Sequence, residues 1–319
     1  MGVSSGQPVH ARDRDGEDRP SDQAQARSLA RAFHFGFRTG LILLFLAFPA
    51  AADRLRVATY NVHGCVGLDG RMRPDRIARV VNSLRPDVIA LQEVDVHRPR
   101  SRKLDQPHEI GRRLDMEHVF HSMLEEHDER YGIAILSRHP LELVRKGLLT
   151  AASRRPPREA RGAIWVRIRP EGFRKPVNFI NTHFGLGRDE RRRQVEVLLG
   201  NEWIGGIPGD EPVILCGDFN SGRRSVVWRR LHERLDDART KAGNRRFRPT
   251  FPSLKPLVSL DHVFVSKHFD VTDVVVADSP MTVSASDHLP LLADLTARTE
   301  SDFRCSESSD AIPARSPRS

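Results

Sequence analysis

The chain predicts an α/β fold in which two strand-rich halves, each carrying helices, pack sheet against sheet. Three observations predict it. Apolar runs of strand length recur from Arg54 to Leu295, with helical segments between them. The first such group reads strand, helix, strand, the spacing of a βαβ unit. Finally, five short polar motifs end or border these runs, so the strands deliver chemistry-bearing side chains to a rim rather than to a core.

Taken in order, Arg54 to Val62 alternates and predicts a strand. Pro74 and Asp75 open a helix running to Leu84. Its apolar residues fall at helical spacing, and a proline in the first turn sacrifices no hydrogen bond. Asp87 to Leu91 is a second buried strand. Residues 97–106 form a loop whose Arg98, Arg100, Arg102 and Lys103 make either a basic rim near Glu93 or an ordinary solvated loop. Five strands follow, EHVFHSM, YGIAILS, LELVRKGLL, ARGAIWVRI and KPVNFINTHF. Arg188 to Leu199 reads as an amphipathic helix, PVILCGD as a buried strand and Ser225 to Leu235 as a helix. LDHVFVS, VTDVVVA and LPLLADL complete the strands.

The five motifs are Tyr60-Asn61, Gln92-Glu93, Thr182-His183, Gly217-Asp218-Phe219-Asn220 and Ser286-Asp287-His288. Brought to one rim, they build a charged pocket. Buried carboxylates are costly unless paired or bound to a cation, so the set implies a divalent metal. Glu93 offers a hard oxygen ligand and Asn61 a neutral carbonyl, which suits Mg²⁺ or Mn²⁺ better than zinc. Asp218 and Asn220 alternate to the same side, with Phe219 turned into the core. A carboxylate there can orient and deprotonate water, and a nearby amide can donate to a phosphoryl oxygen as charge builds. His288 can stabilise that charge or handle a proton once a neighbour fixes its tautomer. Asp261 is the candidate neighbour, while His262 alternates away and reads as structural. Taken singly, Asn61 or Glu93 would read as turn or cap residues; it is the ordered set that is specific.

That ordered set, from about Leu55 to Thr296, resembles the endonuclease/exonuclease/phosphatase superfamily, the deoxyribonuclease I-like metal-dependent phosphoesterases. The resemblance implies a four-layer α/β sandwich with two packed mixed sheets flanked by helices. It also implies Glu93 as principal metal ligand with Asn61 beside metal and phosphate, and Asp287 associated with metal or solvent. Asp218 and Asn220 would work at the attacking water and phosphoryl oxygen, His288 with Asp261 at the phosphorane, and His183 at the phosphate or leaving group. Arg161 matches a basic residue near the substrate phosphate, or is one surface arginine among many. The implied reaction is in-line attack of metal-supported water on phosphorus in a phosphodiester or phosphomonoester, with no Ser or Cys nucleophile. Leu260 stands where abasic-site endonucleases usually carry Trp, and Asp261-His262 does not fit the inositol polyphosphate 5-phosphatase pattern. The readings kept beside this one are a secreted endonuclease acting on DNA or RNA and a catalytically silent module that binds phosphoesters or a partner.

The 319 residues carry 51 basic against 42 acidic side chains, a formal charge of +9. That surplus suits a phosphate-bearing substrate, whether nucleic acid, lipid headgroup or small phosphoester. Because nearly all the basic residues are Arg, a GC-rich coding sequence explains the figure equally well. Residues 1–52 read as a disordered stretch followed by a signal peptide or membrane anchor. A basic flank at Arg38, a short apolar run from Leu41 and small residues before Asp53 carry that reading. Export is therefore expected, with a membrane surface as one partner and a monomer as the working state. Residues 53–298 form the catalytic domain, and 299–319, rich in Ser, Pro and charge, a disordered tail. Cys65, Cys216 and Cys305 match no zinc spacing. Cys65 and Cys216, both beside site motifs, either pair under oxidising conditions or sit as small buried hydrophobes.

Overall fold

A computed structural model of the chain describes residues 54–150, 159–243 and 248–298. The expected signal segment, the tail and Cys305 lie outside the described residues. In chain order the strands are β1 (Arg54–Asn61), β2 (Val88–Val96), β3 (Glu117–Glu126), β4 (Glu129–Ser137), β5 (Glu142–Leu148), β6 (Gly162–Ile168) and β7 (Val177–His183). They continue as β8 (Val213–Asp218), β9 (Asp236–Asp237), β10 (Asp261–Val265), β11 (Phe269–Val276) and β12 (Leu291–Ala297). The helices are α1 (Pro74–Leu84), α2 (Gln106–Leu114), α3 (Arg188–Leu199), α4 (Val226–His232), α5 (Ala238–Lys241) and α6 (Pro280–Ala285).

Two six-stranded sheets result, ordered β11-β12-β1-β2-β4-β3 and β5-β6-β7-β8-β10-β9. Each has one parallel pair at its centre, β1 with β2 and β7 with β8, among otherwise antiparallel neighbours. Both pairs therefore end their strands on the same kind of rim, where side chains emerge without a hairpin to cover them. Between the sheets lies an apolar layer that includes Val57, Ala90, Ile133, Ile164, Phe179, Ile214 and Leu291. Ile77, Val80, Val81 and Ile110 of α1 and α2 cover the outer face of the first sheet. Val195, Leu198, Val227 and Leu231 of α3 and α4 cover the second. The expected four layers are thus present, and each fully buried Leu, Ile or Phe adds about 1.5–3 kcal/mol.

One polar tie crosses the apolar layer. Gln92 Nε2 on β2 donates to Asn181 Oδ1 on β7 at 2.8 Å, and Asn181 Nδ2 donates to the carbonyls of Leu91 and Ala134 at 3.0 and 2.8 Å. All three of these hydrogen bonds of Asn181 run to the first sheet, which fixes how the two rims face one another. Gly217 does similar work within the second sheet. Its φ is +149°, and a Cβ there would lie 2.0 Å from the Thr182 carbonyl oxygen, so only glycine lets β7 and β8 close up beside Asp218.

The structure departs from the sequence reading in three places. Strand β2 does not stop at Leu91 but runs to Val96, with a bulge between Gln92 and Val94. The segment after the 97–106 loop, to which the sequence reading assigned no element, is helical from Gln106 to Leu114: Asp105 caps it by accepting from His108 N at 3.0 Å, and Pro107 sits harmlessly in the first turn. The helix expected over 225–235 stops at His232, and Ser225 is its cap, accepting from Trp228 N at 3.1 Å. Cys65 and Cys216 are both buried and free. They cannot pair because Cys65 belongs to the outer layer under α1 and Cys216 to the layer between the sheets. Among the described residues no helix is long and apolar enough to cross a membrane.

Candidate active site

The site is assembled where β1, β2, β7 and β8 end, with β10 and the segment before β12 completing it. Asn61, the last residue of β1, is 1% exposed and sits at the centre. Its amide nitrogen donates to Glu93 Oε1 at 2.9 Å and to Asp218 Oδ2 at 3.0 Å, so two carboxylates from different sheets converge on one point. The Asn61 carbonyl oxygen accepts from the His63 backbone N–H at 3.1 Å. That bond fixes the amide's orientation. Asn61 therefore draws the two carboxylates together through its nitrogen, and the carbonyl that the sequence reading offers to a metal lies on the same amide.

Glu93 reaches this point because of the β2 bulge. Its φ is +60°, a left-handed conformation that a residue other than glycine adopts at a cost, and the extra residue turns its carboxylate out of the strand's alternation. Asp218 closes β8 directly opposite His183 of β7 and Asp261 of β10. Asp218 Oδ1 accepts from the Asn220 N–H at 2.8 Å, and Oδ2 lies 3.6 Å from His183 Nε2 and 3.8 Å from His288 Nε2. Burial, then the negative charge of Asp261, pushes Asp218 well up from the carboxylate range; His288 and the donors from Asn220 and Asn61 oppose that rise.

The environments of the two histidines push their pKa values in opposite directions. His183 is fully buried, and burial, then the charges of Arg161 and His288, lowers its pKa well below the ordinary value. Arg161 NH1 approaches His183 Nδ1 at 3.4 Å. Its Nε2 faces Asp218 at 3.6 Å and Glu93 at 4.0 Å, and Asn220 Nδ2 approaches the same nitrogen at 3.3 Å. Burial also works against a charge on His288, but the charge and hydrogen bond of Asp261, followed by the charges of Asp218 and Asp287, raise its pKa to about 10. His288 Nδ1 donates to Asp261 Oδ2 at 2.9 Å, which leaves Nε2–H pointing into the site. Phe251 packs on the other side of the imidazole with its centroid 4.8 Å away.

Asn220 sits at φ +47° and spends its amide on the Phe184 carbonyl at 2.9 Å, with His183 Nε2 3.3 Å away. Arg161 is 4% exposed, pairs with Glu159 at 2.7 Å and stands behind His183, so its first contact is with the imidazole. Asp287 stands apart from the Asn61–Glu93–Asp218 convergence. It is partly exposed, 3.9 Å from His63 Nδ1, and its link to the site runs through Ser286 Oγ, which is 3.4 Å from Asp287 and donates to the Asn61 backbone carbonyl at 2.8 Å.

Back to back with the His288–Asp261 pair is a second one that sequence reading missed. His262 points to the opposite face of β10 and is buried. Its Nδ1 lies 3.3 Å from Asp237 Oδ2, and its Nε2 donates to the Ser221 carbonyl at 2.9 Å. Burial pushes the Asp237 pKa up, but hydrogen bonds from His262, Trp228 and the Thr240 N–H, with the charge of His262, hold it below the ordinary carboxylate range. A depressed folded-state pKa stabilises above the unfolded value and loses that contribution as pH falls. Asp237→Asn is therefore expected to lower Tm at pH 7 by about 4–8 °C. The gap from wild type should narrow as pH drops below about 4. Thermal melts from pH 7 to pH 3 check this, and a constant gap would contradict it.

A divalent cation fits this set on its chemistry. Glu93 and Asp218 supply hard, anionic oxygens held 2.9 and 3.0 Å from one donor, and Asp261 Oδ1 is buried with no hydrogen-bond partner. Carboxylate and imidazole atoms of Asp218, Asp261 and His288 also lie within 4.8 Å of one another. His288 Nδ1 is already committed to Asp261, which makes those two an oriented imidazole pair more than a ligand pair.

Residues 58–288 match the model of the Endonuclease/Exonuclease/phosphatase family. The chain is 27% identical over 249 residues to the uncharacterized protein YbhP of Escherichia coli, covering 75% of this chain and 95% of that one. Its fold superposes on an endonuclease/exonuclease/phosphatase from Beutenbergia cavernae with a TM-score of 0.63 and 22% identity, covering 77% of this chain and 72% of that one. A mannosyl-6-phosphatase from Bacteroides thetaiotaomicron superposes with the same TM-score of 0.63 and 21% identity, over 76% of this chain and 99% of that one. The family match runs from the first motif strand to His288 and takes in every motif described above, so the chain belongs to the endonuclease/exonuclease/phosphatase family, whose members hydrolyse phosphoester bonds.

Proposed function

We propose that this chain is a Mg²⁺- or Mn²⁺-dependent phosphoesterase in which water attacks phosphorus in line with the leaving oxygen. The observation that carries the reading is the convergence on Asn61: two carboxylates drawn to one amide, faced by a neutral imidazole on one side and a charged one on the other. Glu93 would hold the cation, with Asp218 Oδ2 beside it. The cation would supply charge neutralisation at the phosphoryl and leaving oxygens.

The remaining steps belong to side chains. Asp218 orients the attacking water and takes its proton; a carboxylate whose pKa is raised towards neutrality is a better base than an ordinary one. His288 presents Nε2–H to a phosphoryl oxygen as negative charge builds there, while Asp261 keeps the proton on Nδ1 and the ring charged. His183, kept neutral by burial, faces the site through Nε2 on the opposite side, and Arg161 acts through it as a positioning residue. Asn220 fixes Asp218 through its backbone N–H and anchors the Phe184 carbonyl.

Glu93→Gln keeps the shape and the bond from Asn61 but removes the charge that draws a cation. The Mg²⁺ concentration for half-maximal activity is expected to rise about tenfold or more. A titration in which it stays at the wild-type value would remove Glu93 from the cation site. For the substrate, nicking of supercoiled plasmid would place the chain with the nucleases. Turnover confined to small esters or lipid headgroups would place it with the phosphatases and lipid phosphodiesterases. Export, as expected from residues 1–52 of the sequence, would favour an envelope substrate. A silent binding module is the less favoured reading, because Glu93, Asp218 and His288 are all present and face one point.

A further inference from the structure

Beside the site, between the start of α3 and the start of α4, lies a pocket of about 340 Å³ lined by Arg188, Arg191, Arg192, Arg224, Arg229 and Ser221. Among the described residues no carboxylate lines it. Two of its five arginines are anchored by backbone carbonyls. Arg191 donates to the carbonyls of Gly185 and Leu186 at 3.3 and 2.5 Å, and Arg229 to that of Arg224 at 3.0 Å. The carboxylate nearest to any of them is Asp189, 3.9 Å from Arg192, with both side chains largely exposed. Burial lowers the pKa of Arg191; the charges of Asp218 and Glu190 oppose that fall, and Arg188 adds to it. Carbonyl anchors hold the guanidinium groups in place without cancelling their charge, so the pocket keeps an unbalanced positive field.

A second arginine-rich pocket provides the contrast. Near α1 and α2, about 650 Å³ is lined by several arginines, but Arg73, Arg100 and Arg113 there are bound by Asp75, Asp95 and Glu109 at 2.9, 2.8 and 2.7 Å. Three of the arginines there are thus paired with carboxylates at hydrogen-bonding distance and, among the described residues, none of those lining the first pocket is.

Two further observations tie the first pocket to a ligand and to the site. Ser221 is 4% exposed, and its Oγ has no hydrogen-bond partner although it belongs to the pocket wall; a buried hydroxyl donor without an acceptor is costly. Ser221 also directly follows Asn220, and Arg191 lies close enough to Asp218 to feel its charge. The pocket wall is thus joined to the site through the Asn220–Ser221 link and through Arg191.

We propose that this pocket is a second anion subsite, which takes a phosphate of the substrate other than the one being hydrolysed. Arginine forks match phosphate oxygens in pairs, and Ser221 supplies a neutral donor to the same group. The preferred substrate then carries at least two phosphates, either successive groups of a nucleotide chain or two groups on one small molecule. The proposal rests on the phosphoesterase reading for its account of turnover, but anion binding in the pocket stands independently of it.

Two measurements on the full chain separate these. In EDTA, inorganic pyrophosphate is titrated calorimetrically into wild type and into Arg188→Gln/Arg224→Gln, both changes being at exposed positions. Affinity is expected to fall about tenfold or more in the double variant. Equal affinity in the two proteins overturns the subsite. With Mg²⁺, kcat/KM is compared for thymidine dinucleotides with and without a 5′-phosphate, and for glucose 1,6-bisphosphate against glucose 6-phosphate. Wild type is expected to favour the two-phosphate member of one pair by about tenfold, and the ratio should fall towards one in the double variant. The pair that shows the preference identifies the source of the second phosphate. A preference that survives in the double variant overturns the proposal. If wild type hydrolyses none of the four, the phosphoesterase reading fails and the pyrophosphate titration alone decides the subsite.

Discussion

Asp218→Asn is expected to cut phosphoester hydrolysis by about 10³-fold or more while leaving the fold in place. The carboxylate accepts from Asn220 N–H on one oxygen and from Asn61 Nδ2 on the other, and the second oxygen also faces His183 and His288. An amide of the same shape can keep only one of those two accepted bonds, since its nitrogen is itself a donor. It has no basicity with which to take a proton from water, and it brings no charge to a cation. The fold should tolerate the change because burial already disfavours the charged form of Asp218, and a neutral group removes that cost. Tm is accordingly expected to stay level or rise. Wild-type turnover in the variant would remove Asp218 from the chemistry. An unfolded variant by circular dichroism would contradict the account of its burial.

Asp261→Asn is expected to cost about 10²-fold or more in rate and to move the titration of His288 down. Asp261 accepts from His288 Nδ1 at 2.9 Å and heads the groups that raise the imidazole pKa to about 10 against the effect of burial. Since the folded-state pKa is raised, the stabilisation that the charged ring brings is complete below the unfolded value of about 6.5. It is lost as pH rises through about 10. Removing Asp261 leaves burial in control, so the ring loses its proton at lower pH, and the alkaline limb of the rate profile moves with it. Nuclear magnetic resonance of the His288 ring protons in both proteins checks the shift. A rate loss with no change in that titration would make Asp261 a packing residue rather than the group that keeps His288 charged.

Much of this was legible in the sequence because strands advertise themselves by apolar runs and the site residues lie at the ends of those runs. Asn61, His183 and Asp218 each close a strand, and an alternating pattern places such a terminal residue without knowledge of its partners. Other features depended on contacts that no local pattern encodes. The β2 bulge that aims Glu93 is a property of its pairing with β4, where one residue is left unmatched. Helix α2 was hidden by Pro107 and Gly111, which punctuate a sequence read alone. In the folded chain Pro107 lies in the first turn, and Gly111 lets the helix approach the Met116 carbonyl, where a Cβ would stand 2.9 Å away.

The roles of polar side chains were the hardest to read, because a donor and an acceptor on one amide have no sequence signature. Asn61 uses its nitrogen on the carboxylates and its oxygen on His63, the reverse of a simple ligand. Arg161 turns to His183 and Glu159, so its effect on a substrate passes through the imidazole. The Asp237–His262 pair was half visible: His262 alternates away from the site in any strand, but Asp237 reaches it from a separate short strand.

The central claim is that the Asn61–Glu93–Asp218 convergence, with its two histidines, hydrolyses phosphoesters with the help of a divalent cation. The most direct measurement is release of p-nitrophenol from p-nitrophenyl phosphate and bis(p-nitrophenyl) phosphate by the purified full chain, in Mg²⁺ or Mn²⁺ and in EDTA, beside Asp218→Asn. The account predicts turnover of at least one ester that requires the cation and disappears in the variant. No turnover of either ester with either cation, or turnover that survives both EDTA and Asp218→Asn, would contradict it.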